Sequence, residues 1–414
     1  MSQEFKPYEL QLAVTPRCNN ACYFCYSGNG YPGNEISLET LSRITDEFLS
    51  FSPFRKVVFT GGEPTARFAD ILKVMESHEC KYPRFGMISN GGLIGAAGEY
   101  KERSKVMLEP AGLYHKTPSQ AVGELHSRGL DSVNLSVDST HVTLEEEPGK
   151  VPYKSLLRCF DAFLGWGYSD KGGRDLKINS IALPGDQATE NILYMLAKDL
   201  GFEIDERILV SGDQMIPIMR YAPRKFSAAA SKDFETVRLT LENIFSLRCP
   251  ARIQPTNYEL FSTGSWQDSM TVDWAGDAFI CADRTVPIGN VHEDSLADII
   301  ARVNQGGEDH PIYGRGIRGF QIMDALSTDY SSNNSGLGRC LELVYQTRPD
   351  LVEKISGCSE ACHALGNNPE FQKALIDAFE ERKESLLVEV QAANEEARQE
   401  RLARRVPLLR LESS

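Results

Sequence analysis

The sequence predicts an α/β protein built on a parallel sheet, followed by a smaller cysteine-bearing region and a long C-terminal helix. Three observations predict it. Six strand-like runs alternate with helical runs over roughly the first 220 residues, which implies right-handed crossovers between parallel strands. Five of the ten cysteines lie after residue 248, around a predicted hairpin. From about residue 369 the chain is dense in Glu, Gln, Arg and Ala at helical spacing.

The elements follow in order. Residues 8–14 alternate as a first strand, and residues 37–49 have helical spacing with Ser37 as N-cap. Lys56-Val-Val-Phe-Thr60 is apolar and β-branched, as in a buried strand. A helix is expected near 68–76, a third strand at 84–90, and an irregular, charged insertion at 93–117 before a helix at 118–128. Further strands are expected at 132–137, 176–183 and 215–220, separated by helices near 153–166 and 187–200. In the second half, residues 271–281 read as a hairpin turning at Ala275-Gly276-Asp277 and ending on Cys281. A turn at 288–295 then feeds a helix. On the last helix the apolar stripe (Phe371, Leu375, Ile376, Phe379, Leu386, Leu387) thins out toward residue 405, so core packing is expected only at its start.

Composition excludes several classes. At 414 residues the chain is long enough for two cores, and 41% hydrophobic with 25% charged residues is ordinary for a globular protein. A net charge of −14 argues against a protein that tracks nucleic-acid phosphates. No apolar run approaches the ~18 residues needed to span a bilayer, and the N-terminus has no apolar signal region. Ten cysteines without a secretion signal read as cofactor ligands in a reducing cytoplasm rather than as disulfides.

The sharpest motif is Cys18-Asn-Asn-Ala-Cys22-Tyr-Phe-Cys25. Three thiolates this close can wrap a compact inorganic cluster while leaving one iron of a cubane open. The bland readings are a zinc site, which as a structural site wants four protein ligands, or three unrelated thiols. The second motif, Gly61-Gly62-Glu63-Pro64-Thr65, follows the strand 56–60 directly. Paired glycines permit close approach of a ligand to the backbone, and Glu63 offers a carboxylate to an ammonium group.

Together these motifs resemble the radical S-adenosylmethionine (SAM) superfamily, whose signature is Cys-x3-Cys-x-aromatic-Cys, with Phe24 at the aromatic position. The resemblance implies a partial (β/α)6 barrel with its ligands at the C-terminal strand ends. It implies a [4Fe–4S] cluster on Cys18, Cys22 and Cys25, and SAM bound along Gly61, Gly62, Glu63 and Pro64. Asn90, Ser136, Asp138 and Asn179, at or near strand ends, are the candidates for further SAM contacts. Such residues also cap helices and close turns. The hairpin ending on Cys281, with its Gly-Asn turn and following helix, resembles the SPASM/Twitch extension of these enzymes. That implies a small α+β domain holding an auxiliary [4Fe–4S] cluster, with Cys249, Cys281 and Cys362 as ligands, Cys358 as fourth and Cys340 as its rival. The full seven-cysteine SPASM set is absent, so one auxiliary cluster is expected, and a zinc knuckle is the alternative. Cys80 and Cys159 read as ordinary thiols.

The expected organisation is therefore a barrel at 1–224, a linker helix at 225–248, the auxiliary-cluster domain at 249–366 and a helical extension at 367–414. The implied activity is reductive cleavage of SAM, fed by a flavodoxin or ferredoxin, and hydrogen abstraction from an unactivated C–H bond. A ribosomally made peptide is the first expected substrate, with a separate leader-binding protein as a possible partner, although the first strand beginning at Tyr8 with no leader-binding domain before it shifts weight modestly toward a small molecule. A sugar or cyclitol is the alternative, and a non-catalytic electron carrier a distant third.

Overall fold

In the computed structural model the described residues are 7–22, 25, 35–51, 55–78, 84–99, 102–145, 147–169, 174–181, 186–205, 208–212, 214–221, 269–279, 287–305, 322–323, 325–326, 336–353, 355 and 358–409. Phe24, Cys80, Cys249, Cys281 and the expected linker helix lie outside them. The chain divides into two compact units. One comprises Phe5–Val237 with Asp268–Ala301, the other Met1–Glu4, Arg238–Gln267 and Arg302–Ser414.

The first unit is organised by a single large sheet. Its strands are β1 (Glu9–Ala13), β2 (Lys56–Thr60), β3 (Arg84–Ser89), β4 (Leu130–Ser136), β7 (Asp175–Ile181), β8 (Glu203–Asp205), β9 (Ile208–Ser211), β10 (Gln214–Tyr221), β11 (Ser269–Val272), β12 (Asp277–Phe279) and β13 (Gly289–Asn290), while β5 (Val142–Thr143) and β6 (Val151–Pro152) pair separately. The sheet order is β13-β12-β11-β1-β2-β3-β4-β7-β10-β9-β8. The six expected strands β1, β2, β3, β4, β7 and β10 are parallel neighbours, and β11 joins them parallel to β1. The expected hairpin thus exists as β11 and β12, and it extends the sheet beside the first strand.

The helices between these strands are α1 (Leu38–Phe51), α2 (Phe68–Ser77), α3 (Gly92–Ala96), α4 (Glu102–Ala111), α5 (Pro118–Ser127), α6 (Tyr153–Gly165) and α7 (Gln187–Leu200). Local chemistry explains their limits. Ser37 Oγ accepts from Thr40 N at 3.1 Å to start α1, Thr117 and Gln120 form a capping box with Pro118 at the first turn of α5, and Asp186 caps α7. Gly201 ends α7 at φ 73°, a left-handed position suited to glycine. Residues 93–117 differ from the expected irregular insertion, because they form α3 and α4. Leu93, Ile94, Leu108, Ala111 and Leu113 are buried between the charged positions, and that anchoring outweighs the charge.

Strand alternation gives the sheet two different faces. Leu10, Leu12, Val57, Phe59, Phe85, Met87, Val133, Leu135, Leu176 and Ile178 occupy one set of cross-strand registers and are buried. Phe59 and Phe85 stack there at 5.7 Å. The other set holds Glu9, Gln11, Lys56, Thr60, Ser132, Asn134, Ser136, Asp175, Lys177 and Asn179, a polar face. A parallel sheet buried on both sides is normally apolar on both; here the second face is mixed, with Ala13 and Val58 buried among these polar residues.

The second unit is helical among its described residues: Gly336–Thr347, Pro349–Val352, Cys358–Asn367 and Pro369–Leu409. Leu337, Leu341, Val344, Leu351, Leu365, Phe371, Leu375 and Phe379 are buried. Along the last helix Val390 is the last buried position among the described side chains. No helix among the described residues is long and apolar enough to cross a membrane.

Candidate functional site

The cysteine loop leaves β1 at its C-terminal end, and backbone pairing holds its first residues against the turn after β2. Val14 N donates to Thr60 O at 2.9 Å, Gly62 N to Thr15 O at 2.7 Å and Glu63 N to Arg17 O at 2.8 Å. The strand pairing therefore continues past both strand ends up to the residue before Cys18. This explains the paired glycines. A Cβ on Gly61 would stand 2.5 Å from Thr15 O, and one on Gly62 would stand 2.3 Å from Arg17 O. Gly61 also sits at φ 138°. The space that the sequence suggests for a ligand is taken here by the backbone that presents Cys18.

Two side chains close the base of the loop. Buried Arg67, in the short 3-10 turn Pro64–Arg67, donates from Nη1 to Val14 O at 3.1 Å and to Ile36 O, and pairs with Asp70 at 2.7 Å. It thereby ties the two residues that flank the loop. Glu35 receives Arg17 Nε at 2.6 Å and Nη2 at 2.9 Å, and also Thr15 Oγ1.

Glu63 is fully buried. Its Oε1 accepts from Thr65 N at 3.1 Å, Thr65 Oγ1 at 2.5 Å and Ser89 Oγ at 2.8 Å, and its Oε2 from Asn90 N at 2.8 Å. Burial pushes this carboxyl up against the pull of those donors. The carboxylate thus joins the turn after β2 to the turn after β3. Asn90, at the second turn, donates from Nδ2 to Asn19 Oδ1 at 2.8 Å and reaches Cys18 Sγ at 3.6 Å.

The far side of the cysteine loop meets the segment after β4. Ala21 N donates to Gly149 O at 2.8 Å, Asn20 Nδ2 to His141 O at 3.1 Å, and Cys22 Sγ reaches Thr140 O at 3.9 Å. Asp138 is buried and already engaged. Oδ1 accepts from Thr140 N, His141 N and His141 Nδ1 at 3.0, 3.1 and 2.9 Å, and Oδ2 from His141 Nδ1 at 2.9 Å and Ile181 N at 3.2 Å. Burial works against the ionised forms of both partners, but their mutual attraction wins: Asp138 is held below the usual carboxylate range and His141 well above the usual imidazole value. Ser136 and Asn179 pair across β4 and β7 at the same strand end.

The donor set fits an iron–sulfur cluster. Cys22 is buried and Cys18 and Cys25 are half-buried in one loop. Burial pushes the Cys18 thiol up, and Glu63, Cys22 and Cys25 add to that effect. Only a strongly positive partner would make such a set ionise together. Among the described residues no three His, Cys, Asp or Glu side chains are gathered as tightly as a single metal ion requires. A cubane is wider than an ion and spaces its thiolates further apart. Asn20 Oδ1 and Asn179 Oδ1 are buried without a protein hydrogen-bond partner, which leaves acceptor capacity on the cysteine loop and at the mouth of β7.

In the second unit Cys340 lies on the buried stripe of its helix with Leu337, Leu341 and Val344, and burial pushes its thiol up. Cys362 is half-buried, four positions after Cys358 on the helix Cys358–Asn367. On the sheet side, the β11–β12 turn is fixed by Asp273, whose Oδ1 accepts from Ala275 N at 2.9 Å and Asp277 N at 3.0 Å. Gly276 sits at φ 86°, where a Cβ would stand 2.4 Å from His292. Cys159 is buried beneath Gly91, as an ordinary thiol would be.

Reasoning from the sequence missed His141, Arg67 and Glu35. An Asp-x-x-His pattern directly after a strand could have marked His141. Nothing local distinguishes Arg67 or Glu35, whose partners are loop backbone and a residue eighteen positions away.

Comparison with known proteins gives the chain's domain content. The radical SAM superfamily profile matches residues 12–191, and the iron–sulfur cluster-binding SPASM domain profile matches residues 265–305. A probable GTP 3′,8-cyclase of Aeropyrum pernix is 26% identical over 308 residues, 69% of this chain and 76% of that protein. A probable GTP 3′,8-cyclase of Methanopyrus kandleri is 28% identical over 131 residues, 31% of this chain and 34% of that protein. Among solved structures, Streptococcus suis SuiB bound to the precursor peptide SuiA aligns at TM-score 0.44 with 15% identity, covering 72% of this chain and 65% of SuiB. BtrN in complex with AdoMet and 2-DOIA aligns at TM-score 0.35 with 10% identity, covering 76% and 87%. Structural likeness at these scores says nothing of what this chain binds. The two domain profiles imply SAM, a [4Fe–4S] cluster and an auxiliary iron–sulfur cluster. With both domains in place and in this order, the chain is an enzyme that carries a radical SAM domain followed by an iron–sulfur cluster-binding SPASM domain.

Proposed function

We propose that Cys18, Cys22 and Cys25 hold the SAM-binding [4Fe–4S] cluster and that the enzyme abstracts hydrogen from a C–H bond of a net-neutral, hydrogen-bonding substrate, with a ribosomally made peptide first. Bound at these thiolates, the cluster supplies the electron that cleaves SAM to methionine and a 5′-deoxyadenosyl radical. The protein's own residues position the reactants. Backbone of the Gly61–Pro64 turn, with Asn90, Ser136 and Asn179, lines the SAM side, and Phe24 belongs to the cysteine loop. Glu63 and Asp138 act by fixing that frame, since their oxygens are engaged by protein donors. Cys249, Cys281, Cys358 and Cys362 are the proposed auxiliary ligands. Cys340, in an apolar stripe, is left to packing. A flavodoxin or ferredoxin is the proposed electron donor.

One observation carries the substrate reading. On the polar face of the sheet two cations are matched by carboxylates, Lys56 3.9 Å from Glu9 and Lys177 3.4 Å from Asp175, and Arg84 stands in register beside Lys56. Between them stand amides and hydroxyls, Gln11, Ser132, Asn134, Ser136 and Asn179. Such a face suits a peptide backbone. A nucleoside triphosphate calls for several unmatched cations, so the cyclisation of GTP in the relatives' names is not carried over. A polyol is the second reading, because the same amides and hydroxyls would serve it. The test is release of 5′-deoxyadenosine above the uncoupled rate by the reconstituted enzyme. It compares GTP, simple cyclitols, and synthetic peptides encoded beside its gene. Stimulation by a peptide that emerges with altered hydrogen content supports the reading. Stimulation by GTP alone, with a cyclised nucleotide as product, overturns it.

A further inference from the structure

Strand β11 pairs with β1 in register, Glu9 beside Ser269 and Gln11 beside Thr271, so these four side chains share one face of the sheet. Lys56, next to Glu9 on β2, shares it too. Met270 and Val272 turn the other way, into the apolar layer with Leu10 and Leu12. Gln11 and Thr271 are buried, at 2% and 1% exposure. Gln11 Nε2 donates to Glu9 Oε1 at 2.9 Å, and the other oxygen of that carboxylate lies 3.9 Å from Lys56 Nζ. A carboxylate can only accept, so this bond fixes which end of the Gln11 amide is the NH2 group. Thr271 is different. Its Oγ1 is buried and finds no hydrogen-bond partner among the described residues. A threonine serving only to fill this place would burden the fold with a desolvated hydroxyl, where valine of the same shape would not. Thr271 lies in the segment matched by the SPASM profile, whereas β1 leads directly into the cysteine loop.

We propose that Thr271 and Gln11 form a ledge that hydrogen-bonds an amide group of the substrate, so that the SPASM segment supplies part of the substrate site. This rests on the proposed function, in which a peptide lies on the polar face of the sheet. The two side chains select the ligand chemically. Thr271 offers an O–H and two lone pairs. Gln11, with one N–H committed to Glu9, offers its second N–H and its carbonyl oxygen. Adjacent strands run about 4.8 Å apart, so one small group can meet both side chains. A peptide bond or a primary amide donates and accepts within that span. Its binding gives the Thr271 hydroxyl the partner that the protein does not provide. An analogue without the amide would leave that hydroxyl unpaired, which is how hydrogen-bonding sites discriminate most sharply. Glu9 is a positioning residue for the Gln11 amide.

The experiment compares full-length Thr271→Val with wild type in two measurements. Valine keeps the β-branch and the volume and removes only the hydroxyl. Without substrate, the urea midpoint of Thr271→Val should equal that of wild type or exceed it by up to about 0.5 M. A lower midpoint, or failure to fold, means that the hydroxyl serves the protein itself and overturns the proposal. The second measurement is 5′-deoxyadenosine release by the reconstituted enzyme against the concentration of the synthetic peptides encoded beside its gene, of a simple cyclitol and of GTP. For a peptide that stimulates wild type, KM should rise about tenfold in Thr271→Val while kcat changes less than about twofold. Thr271→Ser, which keeps the hydroxyl, should recover most of that loss, and Gln11→Met should raise KM by a similar factor. An unmoved KM in Thr271→Val overturns the ledge and leaves the peptide reading intact. Peptides that stimulate nothing, whether or not the cyclitol or GTP does, refute the peptide reading and the amide ligand together.

Discussion

Replacing Gly62 by alanine tests how the cysteine loop is seated. The added Cβ would stand 2.3 Å from Arg17 O and 2.6 Å from Pro16 O, where ordinary contact begins at 3.4 Å. The obstacle is backbone on both counts, so no side chain can swing aside, and the strands must separate by about 1 Å (3.4 Å less 2.3 Å). That displacement breaks the bonds from Gly62 N to Thr15 O and from Glu63 N to Arg17 O, now 2.7 and 2.8 Å. Two lost hydrogen bonds cost about 1–3 kcal/mol together, and forcing a methyl group into filled space costs about 1–3 kcal/mol more. The expected loss is thus about 2–6 kcal/mol, read from the urea midpoint of the cluster-free protein, together with poor iron loading because Cys18 moves with Arg17. Gly165→Ala is the control. That glycine ends α6 with nothing within 4 Å of an added Cβ, so alanine should be neutral or stabilising by up to about 1 kcal/mol. A Gly62→Ala protein within about 0.5 kcal/mol of wild type, with normal iron content, would refute the view that these glycines serve the cysteine loop.

Other outcomes follow from the same geometry. Arg67→Met leaves the carbonyls of Val14 and Ile36 without their donor, which should destabilise the apo protein by about 2–5 kcal/mol and reduce cluster loading. Arg67→Lys should restore part of both, and wild-type behaviour of Arg67→Met in urea and in iron assay would contradict the clamp. The Asp138–His141 pair gives the apo protein a pH signature. Asp138 titrates below its ordinary 3.8 and His141 well above its ordinary 6.5. The carboxylate's contribution is present above 3.8 and lost as pH falls through its depressed value. The imidazole's contribution is complete below 6.5 and lost as pH rises through its elevated value. The urea-midpoint difference between wild type and Asp138→Asn should therefore be greatest between about pH 4 and pH 6.5 and shrink on either side. A difference that does not vary with pH would show that the pair is not ionised.

The parallel strands and their helices were legible because periodicity and caps are local: the β-branched run at 56–60 and the Thr117–Gln120 capping box need no tertiary information. The cysteine triplet and the glycine pair were equally plain as motifs. What their neighbours do was not. Glu63 and Asp138 look in the sequence like ligands offered to SAM, but each is buried and occupied by turn backbone and hydroxyls, an outcome decided by how three strand ends converge. The antiparallel strands β8 and β9 were missed because three- and four-residue strands carry almost no pattern. The short helices within 93–117 were masked by surface charge around a few buried apolar residues. The pairing of β11 with β1 joins positions some 260 residues apart, and hydrophobic spacing cannot announce such a partner.

The central claim is a SAM-cleaving cluster on the first three cysteines beside a separate auxiliary cluster. The most direct test is anaerobic iron and sulfide content of the reconstituted wild type and of the Cys18→Ala/Cys22→Ala/Cys25→Ala variant, with SAM cleavage assayed in parallel. About eight irons falling to about four, with cleavage lost, is the predicted result for two four-iron clusters. About four irons falling to none would remove the auxiliary cluster, and retained cleavage in the variant would contradict the assignment of the SAM site itself.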